Sequence, residues 1–154
     1  ITNTVISGSL SLVFFDVTCS WSPNNADFYV LYGHFFRIVQ YLVQVEGYTL
    51  DTNVEPPYSY SASIISQVAR LRRGRYHIDV IRSFTESPLC PLPLFWSTHV
   101  MNYLSADSFC CAYPDSMLQH RGLLNPHRLV DCQYPSSSVL SAMFKYIAHG
   151  YDFR

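Results

Sequence analysis

The sequence predicts an α+β domain, a small mixed β-sheet flanked by helices on one side. Three observations carry that reading. The apolar run Val5-Ile6-Ser7 is closed by Gly8 and followed at once by helical spacing from Ser9 to about Phe15, with Leu10, Val13 and Phe14 in phase. A second strand-like run, 25–30, leads into an amphipathic stretch from Gly33-His34 to about Glu46, where Phe35, Ile38, Val39, Leu42 and Val43 recur at three-four spacing. Two further runs, Ser63 to Leu71 and Arg75 to Arg82, are separated only by Arg72-Arg73-Gly74, which reads as a hairpin.

Each remaining element follows from local chemistry. Trp21-Ser22-Pro23-Asn24 is turn chemistry, so 16–24 is a loop. Along 25–30 the alternation of a strand puts Asn25, Asp27 and Tyr29 on one face and Ala26, Phe28 and Val30 on the other. Gly47 suits the position just past a helix. Tyr48 to about Thr52 reads as a short strand, and 53–60, with Pro56-Pro57, as a loop. On the second hairpin strand His77, Asp79 and Ile81 face one way, and Tyr76, Ile78 and Val80 the other. Pro88, Pro91 and Pro93 keep 84–93 irregular. Ser97 to Tyr103 leans to a strand, and Phe109 to Tyr113 is a strand stopped by Pro114. Residues 115–134 read as irregular or as carrying a short helix. Ser136-Ser137-Ser138 starts a last helix, Val139 to His149, with Leu140, Phe144 and Ile147 expected inward and Gly150 ending it.

At 154 residues the chain (1–154) suits one domain with a sizeable core. Hydrophobic residues at 49% exclude a disordered chain, and a net charge of −1 gives no global attraction to nucleic acid. No apolar run approaches the roughly 20 residues that span a membrane, and no signal peptide is visible. The five cysteines, Cys19, Cys90, Cys110, Cys111 and Cys132, lack C-x-x-C spacing. They read as reduced thiols of an intracellular protein, cytosolic or nuclear, rather than as a zinc site or disulfide framework. The start at Ile1, directly in a strand, suggests a trimmed piece of a longer protein.

Three places carry candidate chemistry. Gly8 between strand and helix allows a ligand to approach the backbone, and Ser9 adds a hydroxyl at a helix start. Alone, the dipeptide reads better as a plain turn with a Ser cap. Asn25 and Asp27, two residues apart on a strand, point two oxygens the same way, as a hard cation such as Mg²⁺ requires; an Asx turn beside a solvated Asp is the bland alternative. Asp79 sits mid-strand between Ile78 and Val80, where a carboxylate must be paired, bound to metal or on a solvent face. If the two strands adjoin, Asn25, Asp27 and Asp79 surround one or two metals, the latter about 3.5–4 Å apart in phosphoryl-transfer sites.

A Gly-Ser turn, an acidic pair two residues apart and a later strand Asp resemble the nucleotidyltransferase superfamily, the fold shared by DNA polymerase beta and poly(A) polymerases. The wider pattern G-S-x-x-A-L, W-x-P-x-D-L-D-h-Y-V, h-D-V-I and F-x-S-T-x-V-M-N of uncharacterised fungal proteins with such a domain is similar to this chain. Trp21, Pro23, Asp27, Tyr29, Val30, Asp79, Val80, Ile81 and 95–102 match it. The resemblance implies a mixed sheet of the nucleotidyltransferase type. It implies nucleotide phosphates held by Gly8 and Ser9, metal ligation by Asn25, Asp27 and Asp79, and Mg²⁺ with a nucleoside triphosphate as substrate or ligand. Asp27 and Asp79 would be catalytic, Asp79 helping to deprotonate an acceptor hydroxyl on protein, RNA or a small molecule. Asn25 departs from the family, which has an acid there: an amide oxygen ligates Mg²⁺ without neutralising it. The resemblance therefore allows a nucleotidyltransferase or a degenerate relative that binds nucleotide or a partner without chemistry.

Weaker signals complete the reading. Lys145 could reach nucleotide phosphates. Arg70, Arg72, Arg73 and Arg75 crowd one hairpin and could meet phosphate or RNA, though a solvated turn suits them better. Thr98 and Asn102 would flank the site if their segment were a central strand. The histidines share no ligand spacing, and no G-x-S-x-G elbow supports a hydrolase triad at Ser9.

Overall fold

The computed structural model describes residues 3–51, 64–126 and 135–154. Among them a seven-stranded sheet is built from β1 (Val5–Ser7), β2 (Asn25–Val30), β3 (Thr49–Leu50), β4 (Ile65–Arg73), β5 (Tyr76–Ser83), β6 (Asn102–Leu104) and β7 (Phe109–Cys111), in the order β3-β4-β5-β2-β1-β6-β7. All neighbours are antiparallel except β2 and β5, which run parallel. A parallel pair needs a long crossover. Here it is supplied by α2 (Phe35–Gln44) together with β3 and β4. The turn Gly74-Arg75 closes the β4–β5 hairpin, and Gly74 takes the positive φ of 58° that a tight turn demands. A two-stranded parallel sheet of β8 (Arg121–Gly122) and β9 (Asp152–Phe153) ties the chain end to the loop after α3 (Pro114–Leu118). The strand expected over Tyr48–Thr52 is β3; 53–60, Ser63 and 127–134, with Cys132 and His127, lie outside the described residues.

Two apolar layers sit on opposite faces of the sheet. On one face α2 lays Phe35, Ile38 and Leu42 over Val30, Ala69, Leu71, Ile78 and Val80. On the other, Leu12 of α1 (Ser9–Phe15) and Tyr146 of α4 (Ser137–Ala148) join Val5, Tyr29, Ile81, Phe95 and Val100. Helices therefore cover both faces, not one. The strands require it: Asp79 and Ile81 alternate with Ile78 and Val80, so β5 has apolar residues on both sides, and a sheet apolar on both faces needs two covers.

Two further expectations change. Ser97 to Tyr103 is not one strand: Thr98–Val100 forms a 3₁₀ turn before β6. Thr98 is held by Leu123, whose carbonyl accepts from the Thr98 N–H and whose N–H donates to the Thr98 hydroxyl, so the segment is turned away from the sheet until Asn102. On α4 the Leu140, Phe144 and Ile147 stripe faces outward, with Phe144 68% exposed, while Tyr146 is 5% exposed. This helix carries two apolar stripes. The smaller one, Val139, Ala142 and Tyr146, faces the cleft described below.

Candidate functional site

Strand register brings the site together. In the parallel pair Asp27 lies beside Asp79, in the antiparallel pairs Ser7 lies beside Asp27 and Arg70 beside Asp79. Directly paired residues share a face. One polar row, Ser7-Asp27-Asp79-Arg70, thus crosses four strands. Two residues further along, the row Val5-Tyr29-Ile81-Val68 is apolar and belongs to the core layer under α1 and α4. The carboxylates sit at the edge of that core, which explains how a short apolar sequence holds two acids.

Asn25 bridges them. Its Nδ2 donates to Asp27 Oδ1 at 2.7 Å and to Asp79 Oδ2 at 3.4 Å. The Arg70 Nε stands 3.7 Å from the same Asp79 oxygen. Loss of water and the neighbouring Asp79 charge push the Asp27 carboxyl up to about 7, against the opposing pull of Lys145, the Asn25 hydrogen bond and Arg70. Burial also raises Asp79, with Arg70 and the Asn25 hydrogen bond working in the other direction. Two carboxylates forced together in partial shelter prefer to share a proton or a cation.

Gly8 leaves room for the Asp27 carboxylate. It adopts φ 71°, and a Cβ there would run into Asp27 Oδ2. With Ser9, Asn25, Asp27 and Lys145 it lines a cleft of about 270 Å³, whose apolar wall is Tyr29, Phe95, Trp96, Val100, Val139, Ala142 and Tyr146. Burial and the nearby Asp27 charge raise the Tyr146 hydroxyl. The Lys145 Nζ lies 5.9 Å from the Trp21 ring and 5.2 Å from that of Tyr146, a cation resting on two aromatic faces. Because α1 is only seven residues long, its dipole adds little, and Gly8-Ser9 contributes close approach and a hydroxyl.

The donor set suits a hard cation. Two carboxylates and an amide oxygen are Mg²⁺ chemistry, and the space kept clear by Gly8 borders one of them. The amide N–H₂ lies between the acids and Arg70 flanks Asp79 from the β4 side; a metal held there would need the amide reversed to present Oδ1. Among the described residues no three His, Cys, Asp or Glu side chains converge as a metal site, and the set here includes only two of those types' side chains.

The residues expected from sequence, Gly8, Ser9, Asn25, Asp27, Asp79 and Lys145, fall in or beside this cleft. Thr98 and Asn102 are not among the residues lining it. Asn102 is fully buried, its carbonyl accepting from Ser7 and Ser11 and its Nδ2 donating to the His99 carbonyl. The hairpin arginines separate: Arg70 joins the acids, Arg73 meets Glu46 and the Tyr48 ring, and Arg75 lies over Tyr76. Sequence reasoning missed the aromatic wall and Arg70's role. The strand register Arg70↔Asp79, countable from the two-residue turn, is the signal that could have found the latter.

Other polar groups are structural. His99 is completely buried among Trp96, Tyr146, Tyr151 and Phe153, and burial lowers it to about 3, so it stays neutral. Burial disfavours the Asp16 charge, but hydrogen bonds from the Thr18 hydroxyl and N–H outweigh it and hold the carboxyl below its ordinary range. His120 Nε2 meets both Asp16 at 2.8 Å and Thr18 at 3.3 Å. One ring nitrogen serving both partners is not a relay to a nucleophile. No helix among the described residues is long and apolar enough to cross a membrane, and the four described cysteines are free thiols. Comparison with protein-family models, with characterised proteins and with solved structures found no match to the chain.

Proposed function

We propose that this is a nucleotidyltransferase-type domain that binds a magnesium nucleotide in the cleft between β2, β5 and α4, with NMP transfer to a hydroxyl acceptor weakened by Asn25. The observation that carries the reading is the in-register Asp27–Asp79 pair, bridged by Asn25 and bordered by Gly8. Carboxylates squeezed into partial shelter cost stability unless hydrogen bonds, an ion pair or a cation offset it, and a pair on one face suits a cation. When bound, Mg²⁺ would supply charge neutralisation and orientation of the phosphates. Asp27, Asp79 and the reversed Asn25 amide would hold it. Lys145, on the cleft lining, would meet phosphate oxygens, Ser9 would donate its hydroxyl to them, and the wall of Phe95 and Trp96 would take an apolar or flat portion of the ligand. Asp79 would accept the proton of the hydroxyl as its oxygen bonds the α-phosphorus of the triphosphate and pyrophosphate leaves.

A second reading, a nucleotide- or partner-binding domain without transfer, is favoured by one observation: the Asn25 amide already satisfies both carboxylates. Calorimetric titration of ATP with and without Mg²⁺, on wild type and Asn25→Asp, separates the two. The proposal expects Mg²⁺-dependent ATP binding in the wild type, and slow transfer of labelled nucleotide that rises by roughly tenfold or more in Asn25→Asp. Transfer only in the variant establishes the degenerate reading. No ATP binding in either protein refutes the nucleotide reading, with or without transfer, and leaves a partner-binding domain.

A further inference from the structure

We infer that Arg70 is a built-in counter-ion of the cation site, which a divalent metal must displace from Asp79. The inference rests on the proposed metal–nucleotide reading of the cleft and concerns its regulation.

The geometry is specific to this arginine. Arg70 pairs directly with Asp79 across β4 and β5, so its side chain stands on the acidic face. Its Nε is 3.7 Å from Asp79 Oδ2, the oxygen that also receives Asn25 Nδ2 at 3.4 Å. Of the other hairpin arginines, Arg73 is engaged with Glu46 and Arg75 lies over Tyr76. Arg70 itself is 38% exposed on its side chain, against 22% for Asp79, so it can swing into solvent while the carboxylate stays. The charged groups facing Asp79 are then Asp27 beside it, Arg70 across the hairpin and His77 two residues before it on its own strand, with Lys145 approaching Asp27 from α4. A guanidinium and a divalent cation drawn to one oxygen compete, because each raises the potential felt by the other. Asn25 sharpens the competition: an amide, not a third carboxylate, stands beside the two acids, so the site has less negative charge with which to hold both cations. Metal-free, the carboxylates are thus paired by the protein itself, and Arg70 sets how much metal is needed to open the site.

The test uses Mn²⁺ alone on the whole chain, followed at pH 8 and low salt by calorimetry and by the electron paramagnetic resonance of free Mn²⁺. Arg70→Gln should bind Mn²⁺ roughly tenfold more tightly than wild type. Arg70→Lys, which keeps the charge, should stay within about threefold. Should Arg70→Gln fold poorly by circular dichroism, the wild type carries the test: its Arg70 ¹⁵Nε resonance should move on Mg²⁺ addition with the affinity measured by calorimetry. Equal or weaker Mn²⁺ binding by Arg70→Gln, or a static Arg70 resonance at saturating Mg²⁺, overturns the inference and leaves the metal–nucleotide reading standing. Absence of Mn²⁺ binding in wild type, Arg70→Gln and Asn25→Asp alike overturns both.

Discussion

Asn25 decides what two neighbouring acids can do. Its amide donates to both, so the protein itself pairs them. Asn25→Asp replaces that donor with a third carboxylate. Melting in a chelator should then fall by roughly 2–8 °C, and Mg²⁺ should restore it. Asp27 supplies a pH test. Its folded-state value, about 7, lies above the ordinary 3.8, so between those values the folded chain binds more protons than the unfolded one. Stability contributed by the protonated carboxyl is whole below about 4 and is lost as pH rises to about 7. Asp27→Asn should therefore raise the melting temperature at pH 8, by roughly 2–6 °C, leave it nearly unchanged at pH 4, and abolish divalent-cation binding. Gly8→Ala adds a Cβ at a positive φ and against the Asp27 carboxylate; an unfolding titration should show a loss of about 2 kcal/mol or more.

Among the elements, α4 shows where reading a sequence stops. Its period, start at Ser136 and end before Gly150 are all visible along the chain, and Ser136 does accept from the Val139 N–H. Which of two apolar stripes faces inward is not, because that depends on the cleft it covers, and the stripe with the smaller residues leaves room for one. Phe144→Ser should consequently change stability by only about 0.5 kcal/mol, whereas Tyr146→Ala should cost about 3 kcal/mol, as chemical denaturation would measure. On the same helix, Lys145→Ala should weaken ATP binding severalfold without altering Mn²⁺ affinity to a like extent. Strands were more legible than α4: the alternation of Asn25, Asp27 and Tyr29, and of His77, Asp79 and Ile81, gave the shared faces that register then joined. Asp79 was informative because its strand neighbours are apolar on both sides; Gly8 was uninformative until its φ and its contact with Asp27 were known.

At the scale of the molecule, one sheet separates an apolar layer under α2 from a layer that opens into the cleft under α4. The α+β class and the order of most elements were visible in the sequence. Helices on both faces were not expected, although the apolar alternation of β5 already required two covers. Nor was the 3₁₀ turn at Thr98, fixed by Leu123 at long range, where no local pattern reaches. The proposed divalent-cation site at Asp27 and Asp79 stands or falls on whether metal and nucleotide bind there together. The most direct measurement is anomalous diffraction from crystals grown with Mn²⁺ and a non-hydrolysable ATP analogue. The expected result is an anomalous peak within coordination distance of both carboxylates, with the phosphates reaching Ser9 and Lys145. A cleft empty of Mn²⁺ at saturating concentration, with the Asn25 amide still donating to both acids, would contradict it.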